Sequence, residues 1–188
     1  MKFIETLLIT DKIENLEYHN NRMNKTRYDF FKLPPLDLSE YIKIIPNKRV
    51  RVTYSKEIEK IEYFDIIKRK FNTFKIVESD IDYSYKFEDR RALNALKQPG
   101  FDEVIIIKNN LVTDTTISNL AFFDGKKWYT PKTPLLKGTK RQELIDKGFL
   151  TEKEIKVEEI KNYEKFAMIN AIIGFYVIEM KNITIKSF

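Results

Sequence analysis

Alternating apolar and polar positions predict a small sheet in the first third of the chain. Residues 2–10, "KFIETLLIT", have the pattern of a strand, and a turn at Asp11 leads into a second short strand, "IENLEY". The stretches "RVRVTYS" and "IEKIEYFDI" alternate in the same way, so Ser55–Glu57 between them is predicted to be a hairpin turn. A further strand, "FKIVESD", follows them.

Helical spacing interrupts this alternation twice. From about Tyr18, "EYHNNRMNKTRYDFF" places Met23, Arg27 and the two phenylalanines near one side of a helix. Pro34 and Pro35 must end that helix, because proline cannot continue it. The next stretch, "DLSEYIKII", predicts a short helix capped by Asp37.

The pattern changes again near Tyr83. The stretch "FEDRRALNALK" predicts a helix that ends at Pro99-Gly100. Turn residues at Asn109-Asn110 and Asp124-Gly125 then separate short apolar runs, and Asp-Gly between two strands is a strong hairpin signal. The predicted strands are "EVIIIK", "LVTD", "ISNLAFF" and "KWYTP".

The last third returns to helices before two final strands. "TKRQELIDKG" predicts a helix closed by Gly148, "EEIKNY" a helical turn, and "FAMINAIIGFYVIEM" two strands around Gly174. The whole pattern predicts an α+β fold. We expect a small N-terminal α+β domain at residues 1–80 and a larger, strand-rich C-terminal domain at 81–188, joined at "SDID".

Composition narrows the possible chemistry. The chain has no cysteine, which excludes disulfides and thiolate metal sites, and the single histidine, His19, argues against a zinc site or a Ser-His nucleophile. Glu5 and Asp11 break any apolar core of a signal peptide. The longest apolar run, residues 166–178, is too short to span a bilayer. We therefore expect a cytoplasmic protein with no metal and no membrane partner.

The net charge of +6 raises the alternative of nucleic-acid binding. Its best support is "KRKF" at 68–71 and "NKRVRV" at 47–52. However, the 34 basic residues are interleaved with 28 acidic ones, and no basic stripe with spaced aromatic residues stands out. We expect a small-molecule substrate and no nucleic-acid partner, and the net positive charge would equally suit an anionic small molecule.

An ordered set of motifs resembles a known family. "DEVIIIKNNLVTDTTISNLAFF" and "WYTPKTPLLKGTKRQEL" are similar to the class IV aminotransferases, the fold-type IV pyridoxal-phosphate (PLP) enzymes. "FIETLLITDKIENLEYHNNR" resembles the family's Glu-Thr strand, turn and His-x-x-Arg helix, so the likeness covers about residues 3–31 and 82–178. It implies a small N-terminal α/β sandwich, a larger strand-rich domain, PLP as cofactor and a homodimer.

The resemblance singles out Lys86, in "YSYKFEDR", as the lysine that bonds to the cofactor. Its amine must lose its proton to do so, and flanking aromatic residues and positive charge favour that loss. The local sequence alone favours a different interpretation, a surface lysine whose aliphatic stem lies along apolar neighbours.

Two further elements match the family's phosphate site. Arg22 corresponds to the family's arginine, and a guanidinium binds phosphate with two parallel hydrogen bonds. Gly138, Thr139 and Lys140 correspond to a helix start whose backbone N–H groups favour an anion. The family commonly has a β-branched residue and then threonine where this chain has Thr139 and Lys140. The alternatives are a surface arginine and a plain helix N-cap, and His19 is interpreted as structural.

The resemblance also places a carboxylate at the cofactor's ring nitrogen. The family usually has glutamate there, whereas "LVTDTT" offers Asp114, which is shorter by one methylene and could instead be a turn residue. Ser118, Thr115 and Thr116 are candidates for hydrogen bonds to the ring or backbone, and Asn119 for bracing the turn. Asn170 and Ala171, in "INAIIG", match a late strand that approaches phosphate and substrate.

The compact chain, together with "KFEDR" and "INA", resembles the short lyase-like members of the family. The predicted function is therefore a PLP-dependent 4-amino-4-deoxychorismate lyase, which releases pyruvate and forms 4-aminobenzoate for folate. The alternatives are an aminotransferase of branched-chain or D-amino acids and a catalytically silent relative. Related enzymes usually carry another strand and loop before the Glu-Thr strand, so one wall of the substrate cleft is expected to be missing or supplied by a partner subunit.

Overall fold

The computed structural model describes residues 1–182 and 184–186. Its contacts divide the chain into two compact units. The first comprises residues 1–68 together with 85–89, and the second comprises residues 69–84 together with the described residues from 90 onward. The chain thus leaves the first unit after residue 68, earlier than the predicted joint at 79–82, and returns to it for the five residues around Lys86.

The first unit packs one helix against a three-stranded antiparallel sheet. Strand β1 (Phe3–Ile9) is followed by helix α1 (Leu16–Phe31), a 3-10 turn (Leu38–Glu40), β2 (Lys48–Tyr54) and β3 (Ile58–Asp65). The sheet order is β1-β2-β3, and Ser55 N–H donates to Glu57 O in the predicted hairpin turn. The buried core consists of Phe3, Leu7, Ile9, Met23, Leu38, Ile42, Val50, Val52 and Tyr54.

Two predictions in this unit were wrong. Residues 13–18 are not a strand, because the chain turns at Asn15 with φ 52° and enters α1 at Leu16, and Ile13 alone bridges back to Ile9. The helix predicted over "DLSEYIKII" is only the 3-10 turn, although the Asp37 side chain accepts from Ser39 N–H as the predicted cap does.

Residues 85–89 lie beside β1. Phe87 pairs antiparallel with Phe3, Ile4 N–H donates to Lys86 O, and Glu88 N–H donates to Lys2 O. The helix predicted over residues 87–97 is therefore confined to α2 (Arg91–Ala95), since the backbone before it is already bonded to β1.

The second unit contains two mixed sheets. Its elements are β4 (Thr73–Glu78), α2, β5 (Glu103–Lys108), β6 (Leu111–Val112), β7 (Asn119–Phe123), β8 (Trp128–Pro131), α3 (Thr139–Asp146), β9 (Leu150–Lys153), a 3-10 helix (Val157–Asn162), β10 (Lys165–Asn170), β11 (Gly174–Glu179), a 3-10 turn (Met180–Asn182) and β12 (Thr184–Lys186). The strand orders are β11-β10-β7-β8-β9 and β12-β4-β5-β6.

The predicted turns of this unit are confirmed. Asn109 and Asn110 have φ 52° and 62° between β5 and β6, and Gly125 has φ 93° between β7 and β8. β10 and β11 pair antiparallel around Gly174, as predicted. Strands β9 and β12 were missed, because each is short and pairs parallel with a distant strand, which leaves no hairpin signal.

Aromatic and branched side chains fill the core of the second unit. Phe74, Phe122 and Phe166 are fully buried, and Phe74 meets Phe166 edge to face at 5.0 Å between ring centroids. Among the described residues, the structure contains no helix long and apolar enough to cross a membrane.

Candidate functional site

A buried carboxylate joins β1 to α1 in the first unit. Phe3, Glu5, Leu7 and Ile9 follow one another on the sheet face that packs on the helix, and all four are fully buried. Glu5 Oε1 accepts from Arg22 Nε at 2.8 Å, and Glu5 Oε2 accepts from Arg22 Nη2 at 2.6 Å. Glu5 Oε2 also lies 2.6 Å from His19 Nδ1. The predicted phosphate arginine is thus held in a two-bond fork.

The electrostatics of this cluster keep Glu5 ionised and His19 neutral. Burial alone would raise the pKa of Glu5, but the charge and hydrogen bonds of Arg22, with help from His19, hold it at about 2. Burial lowers the pKa of His19, against the opposing effect of the Glu5 carboxylate. A neutral imidazole beside a carboxylate acceptor places its proton on Nδ1.

Lys86 lies in the same unit, between two packed aromatic residues. The ring centroids of Phe87 and Phe3 lie 5.3 Å apart, and those of Tyr85 and Phe30 lie 4.8 Å apart with the rings edge to face. The positive charge of Lys86 is near enough to contribute, as the last of several causes, to the lowered pKa of His19. The first unit therefore brings Lys86 and the Glu5–His19–Arg22 cluster into one electrostatic neighbourhood.

Two arginines on β2 have incompletely satisfied donors. Arg49 and Arg51 alternate with buried Val50 and Val52, so they lie on the sheet face turned away from α1. Within the described residues, the Nε atoms of both arginines are buried without a hydrogen-bond partner. Arg49 lies over the Phe64 ring at 4.7 Å. From the sequence, both arginines were noted only as part of the basic run 47–52 that supported the nucleic-acid alternative.

A second buried carboxylate, Asp114, lies in the other unit. Its Oδ1 accepts from Asn119 Nδ2 at 2.8 Å, and its Oδ2 accepts from Leu136 N–H at 2.9 Å. Asn119 Nδ2 also donates to Leu136 O at 2.7 Å, so Asn119 braces this turn, as predicted. Burial raises the pKa of Asp114 to about 7, against the lowering effect of these donors and of Arg141.

The start of α3 lies against the same brace. A Cβ at Gly138 would lie 2.0 Å from Asn119 Oδ1, which leaves no room for a side chain, and Gly138 precedes the uncapped first turn of α3. Thr139 is buried, whereas the Lys140 amine is paired with Glu143 Oε2 at 2.7 Å. The backbone N–H groups are thus the clearer anion donors here.

The remaining predicted site residues brace the loop that follows Asp114. Ser118 Oγ lies 2.9 Å from Thr115 Oγ1, and Thr116 Oγ1 donates to the buried carboxylate of Glu103. Asn170 Nδ2 donates to Ile117 O at 3.1 Å, while its Oδ1 accepts from the backbone N–H groups of the β10–β11 turn. Ala171 lies in that turn and is half-buried.

Two residues that support the predicted site were not predicted from the sequence. Glu5 holds Arg22 in place. The sequence feature that could have predicted this role is a carboxylate at an inward position of an otherwise apolar strand. Arg141, in the first turn of α3, is almost fully buried and donates to Thr130 Oγ1, Pro131 O and Glu152 Oε1. Its signal was weak, because an arginine in a polar helix is normally exposed.

The residues present suit a phosphorylated pyridine cofactor. The first unit offers a lysine and an oriented guanidinium. The second offers a carboxyl group whose pKa lies near neutrality and a glycine-led helix start. Each group has the chemistry that one part of such a cofactor requires.

This chain matches the profile of one protein family and is similar in sequence to a known protein over most of its length. The profile of the family described as "Amino-transferase class IV" matches residues 84–179. An uncharacterized protein of Haemophilus influenzae (strain KW20/Rd) is 37% identical in an alignment of 182 residues, and the alignment covers 90% of this chain and 97% of that protein.

Two solved structures share the overall fold of this chain. A candidate 4-amino-4-deoxychorismate lyase from Haemophilus somnus 129PT is 35% identical, covers 92% of this chain and 97% of its own, and superposes with a TM-score of 0.86. The PLP-bound form of a hypothetical aminotransferase from Mycobacterium tuberculosis is 16% identical with a TM-score of 0.79, over 98% of this chain and 81% of that one. At that identity the likeness concerns the fold alone.

Proposed function

Because the chain belongs to the class IV aminotransferase family, we propose that it is a PLP-dependent 4-amino-4-deoxychorismate lyase. The same similarities confirm the predicted fold-type IV architecture, with strand-rich sheets and few helices. The observation that carries the proposal is the 35% identity, over nearly the full length of both chains, to a structure described as a candidate lyase of this kind.

Four groups of this chain would hold the cofactor. Lys86 Nζ would bond to its aldehyde carbon, and Arg22 with the first N–H groups of α3 would bind its phosphate. Asp114 would face its ring nitrogen. When bound, PLP supplies an aromatic ring that accepts electrons from the substrate bond being broken.

Asp114 suits the position beside the ring nitrogen because its carboxyl group can ionise near neutral pH. Its pKa of about 7 means that a small change in the local field moves it between the acid and the carboxylate. A ring nitrogen that carries a proton would favour the carboxylate. Asn119 and Leu136 N–H hold the carboxyl group in place in either state.

Lys86 would also move the substrate's proton. An amine freed from the cofactor is a general base close to the reacting carbon, and such positioned bases contribute typically 10²- to 10⁴-fold to a rate. Tyr85 and Phe87, which flank it in the aromatic cluster, fix the backbone from which its side chain extends.

Arg49 and Arg51 fit an anionic substrate. 4-Amino-4-deoxychorismate carries two carboxylates, and each arginine has one donor, its Nε, that the described residues leave without a hydrogen-bond partner. The Arg51 Nη2 lies 3.9 Å from Glu88 Oε1. A carboxylate is the natural partner of an arginine Nε–H and Nη–H pair. We propose that these side chains bind substrate carboxylates.

The alternative is transfer of an amino group between amino and 2-oxo acids. It is favoured by the description of the matching family. The two reactions differ in stoichiometry, because the lyase divides one substrate into two products, whereas the transferase needs a second substrate. A third possibility, a silent relative, predicts neither product.

The deciding experiment is a product assay. Purified protein with PLP and 4-amino-4-deoxychorismate should form 4-aminobenzoate and pyruvate in equal amounts. Amino transfer to 2-oxoglutarate without these products would contradict the lyase proposal and support the transferase. No turnover with either substrate set, together with no borohydride-sensitive yellow colour, would identify the silent relative.

Three wider elements of the proposal have separate tests. A homodimer predicts a sedimentation mass near twice the chain's 22.5 kDa. A role in folate supply predicts that loss of the gene creates a requirement for 4-aminobenzoate. A cytoplasmic location predicts recovery in the soluble fraction of gently lysed cells.

A further inference from the structure

Glu5 occupies a position that its strand reserves for apolar side chains. Its neighbours on the same face, Phe3, Leu7 and Ile9, are core residues, and Glu5 is as fully buried as they are. An ionised carboxylate in such a place is destabilising unless its charge is paired and its oxygens accept hydrogen bonds. Its presence therefore calls for an explanation beyond packing.

The geometry around Glu5 fixes the plane of one guanidinium. Arg22 donates through Nε and Nη2, one bond to each carboxylate oxygen, at 2.8 and 2.6 Å. Two parallel bonds define both the position and the rotation of the group, which a single bond cannot do. The Arg22 side chain is 16% exposed, whereas its partner Glu5 is fully buried, so the fork is anchored in the core.

His19 completes the support without adding charge. Its Nδ1 lies 2.6 Å from Glu5 Oε2, and its ring is fully buried. Burial lowers the pKa of His19, so the ring stays neutral and does not repel the adjacent guanidinium. Glu5, ionised at any pH above about 2, thus has one charged and one neutral partner.

We propose that Glu5 is a positioning residue that orients the Arg22 guanidinium for a phosphate monoester. The inference rests on the proposed function, since it takes Arg22 as the phosphate anchor. Nε and one N–H of Nη2 are directed at Glu5. The other N–H groups of Arg22 lie on the sides turned away from it, and those would meet the phosphate. Glu5 acts through Arg22 and does not touch the cofactor.

The test compares two ligands that differ only in the phosphate. PLP and pyridoxal are titrated into the protein, and each dissociation constant is measured from the change in absorbance and protein fluorescence. Glu5→Gln keeps the size of the side chain but removes its charge and replaces one acceptor by a donor. We expect the dissociation constant for PLP to rise about tenfold, as for loss of one well-oriented charged hydrogen bond. The constant for pyridoxal should change less than about twofold on the same grounds.

A structural role alone predicts a different result. If Glu5 only supported the fold, Glu5→Gln would weaken both ligands alike, or neither, and either outcome overturns the inference. The control is Asn24→Ala, on the same helix, which removes the hydrogen bonds between the Asn24 amide and the Leu36 backbone without touching Glu5. That variant should leave the ratio of the two dissociation constants unchanged.

Further variants separate this inference from the proposal beneath it. An Arg22→Ala variant that binds PLP as tightly as the unchanged protein would overturn the phosphate anchor itself. Arg22→Ala that weakens PLP while Glu5→Gln does not would overturn only the role of Glu5. If Glu5→Gln does not fold, Arg22→Lys keeps the charge but cannot form the fork. The same PLP-specific loss in Arg22→Lys supports the inference, and its absence contradicts it.

Discussion

The two units each bury a carboxylate, but with opposite consequences for its proton. Glu5 has a guanidinium as its main partner and a pKa of about 2. Asp114 has an amide and a backbone N–H as direct partners, with Arg141 acting only through its field, and a pKa of about 7. Both side chains are almost completely shielded from water, so burial does not explain the difference. The charge of the nearest donor does.

The difference suits the proposed division of work between the units. A group that holds an arginine for a phosphate must stay charged at every working pH, and Glu5 does. A group that faces a protonated ring nitrogen must be able to ionise, and the pKa of Asp114, about 7, allows that near neutral pH.

The largest expected effect is on catalysis by the first unit. Lys86→Ala should lower kcat by roughly 10³-fold, because both the bond to the cofactor and the positioned base are lost. PLP should still bind through its phosphate. Borohydride reduction followed by peptide mapping should place the pyridoxyl group on Lys86 in the unchanged protein.

The control for this variant is Lys12→Ala, an exposed lysine of the same unit. It should retain full turnover and the same labelled peptide. A pyridoxyl group on any lysine other than Lys86 would end the assignment.

The next largest effect is expected from replacing Arg22, which should lower both the free energy of unfolding and the affinity for PLP. Arg22→Ala leaves Glu5 as a buried carboxylate without its charge partner, which should reduce the free energy of unfolding by about 3–5 kcal/mol. PLP affinity should also fall roughly tenfold or more. Urea unfolding and PLP titration measure the two effects separately.

The matched control lies on the same helix. Lys25 is 71% exposed and pairs with Asp29, so Lys25→Ala should change the free energy of unfolding by less than about 0.5 kcal/mol. Equal stability losses in the two variants would mean that the Glu5–Arg22 fork is no stronger than a surface ion pair.

The sequence anticipated some parts of these sites better than others. The strand that carries Glu5 and the helix that carries Arg22 follow from local periodicity, and the Asp124-Gly125 hairpin follows from turn chemistry. The extended backbone around Lys86 does not, because residues 86–88 bond to β1, some eighty positions earlier. Propensity alone favoured a helix there.

The candidate residues themselves came from family motifs, and their roles stay predictions. What the motifs could not convey was how each is held. The Asn119 brace was anticipated, but the Glu5 fork and the buried Arg141 depend on contacts between distant segments. A charged residue in an inward position of an apolar strand was the one local sign of the fork.

The two buried carboxylates, Glu5 and Asp114, should make the free energy of unfolding depend on pH in opposite directions. The pKa of Glu5 is lowered from 4.5, so its contribution to stability is present above pH 4.5 and is lost as pH falls toward 2. The pKa of Asp114 is raised from 3.8 to about 7, so the folded state holds a proton that the unfolded state has released, and stability falls as pH rises between these values. Each shifted pKa changes the free energy of unfolding by on the order of 3–4 kcal/mol across its pH range.

Two variants measure these opposite slopes. In urea unfolding between pH 3 and 8, Asp114→Asn should reduce the loss of stability that accompanies rising pH. Glu5→Gln should reduce the loss below pH 4.5, and the loss that remains includes the part that comes from the lowered pKa of buried His19. Asp114→Asn should still bind PLP but slow the proton-transfer step. An unchanged rate would make Asp114 only a turn residue, and an unchanged pH profile would contradict its raised pKa.

The smallest expected effect concerns the brace beside Asp114. Gly138 has φ −71°, an ordinary value, so its need for glycine comes from space rather than from backbone strain. In Gly138→Ala the new Cβ would lie 2.0 Å from Asn119 Oδ1, and Asn119 would have to move away from Asp114 and Leu136 O. Overpacking of this kind reduces stability by about 1–3 kcal/mol. Urea unfolding should show that loss, and PLP titration should show weaker binding if the start of α3 holds the phosphate. An alanine tolerated in both assays would mean that Asn119 can turn aside freely, and Asp114 would then not depend on it for its position.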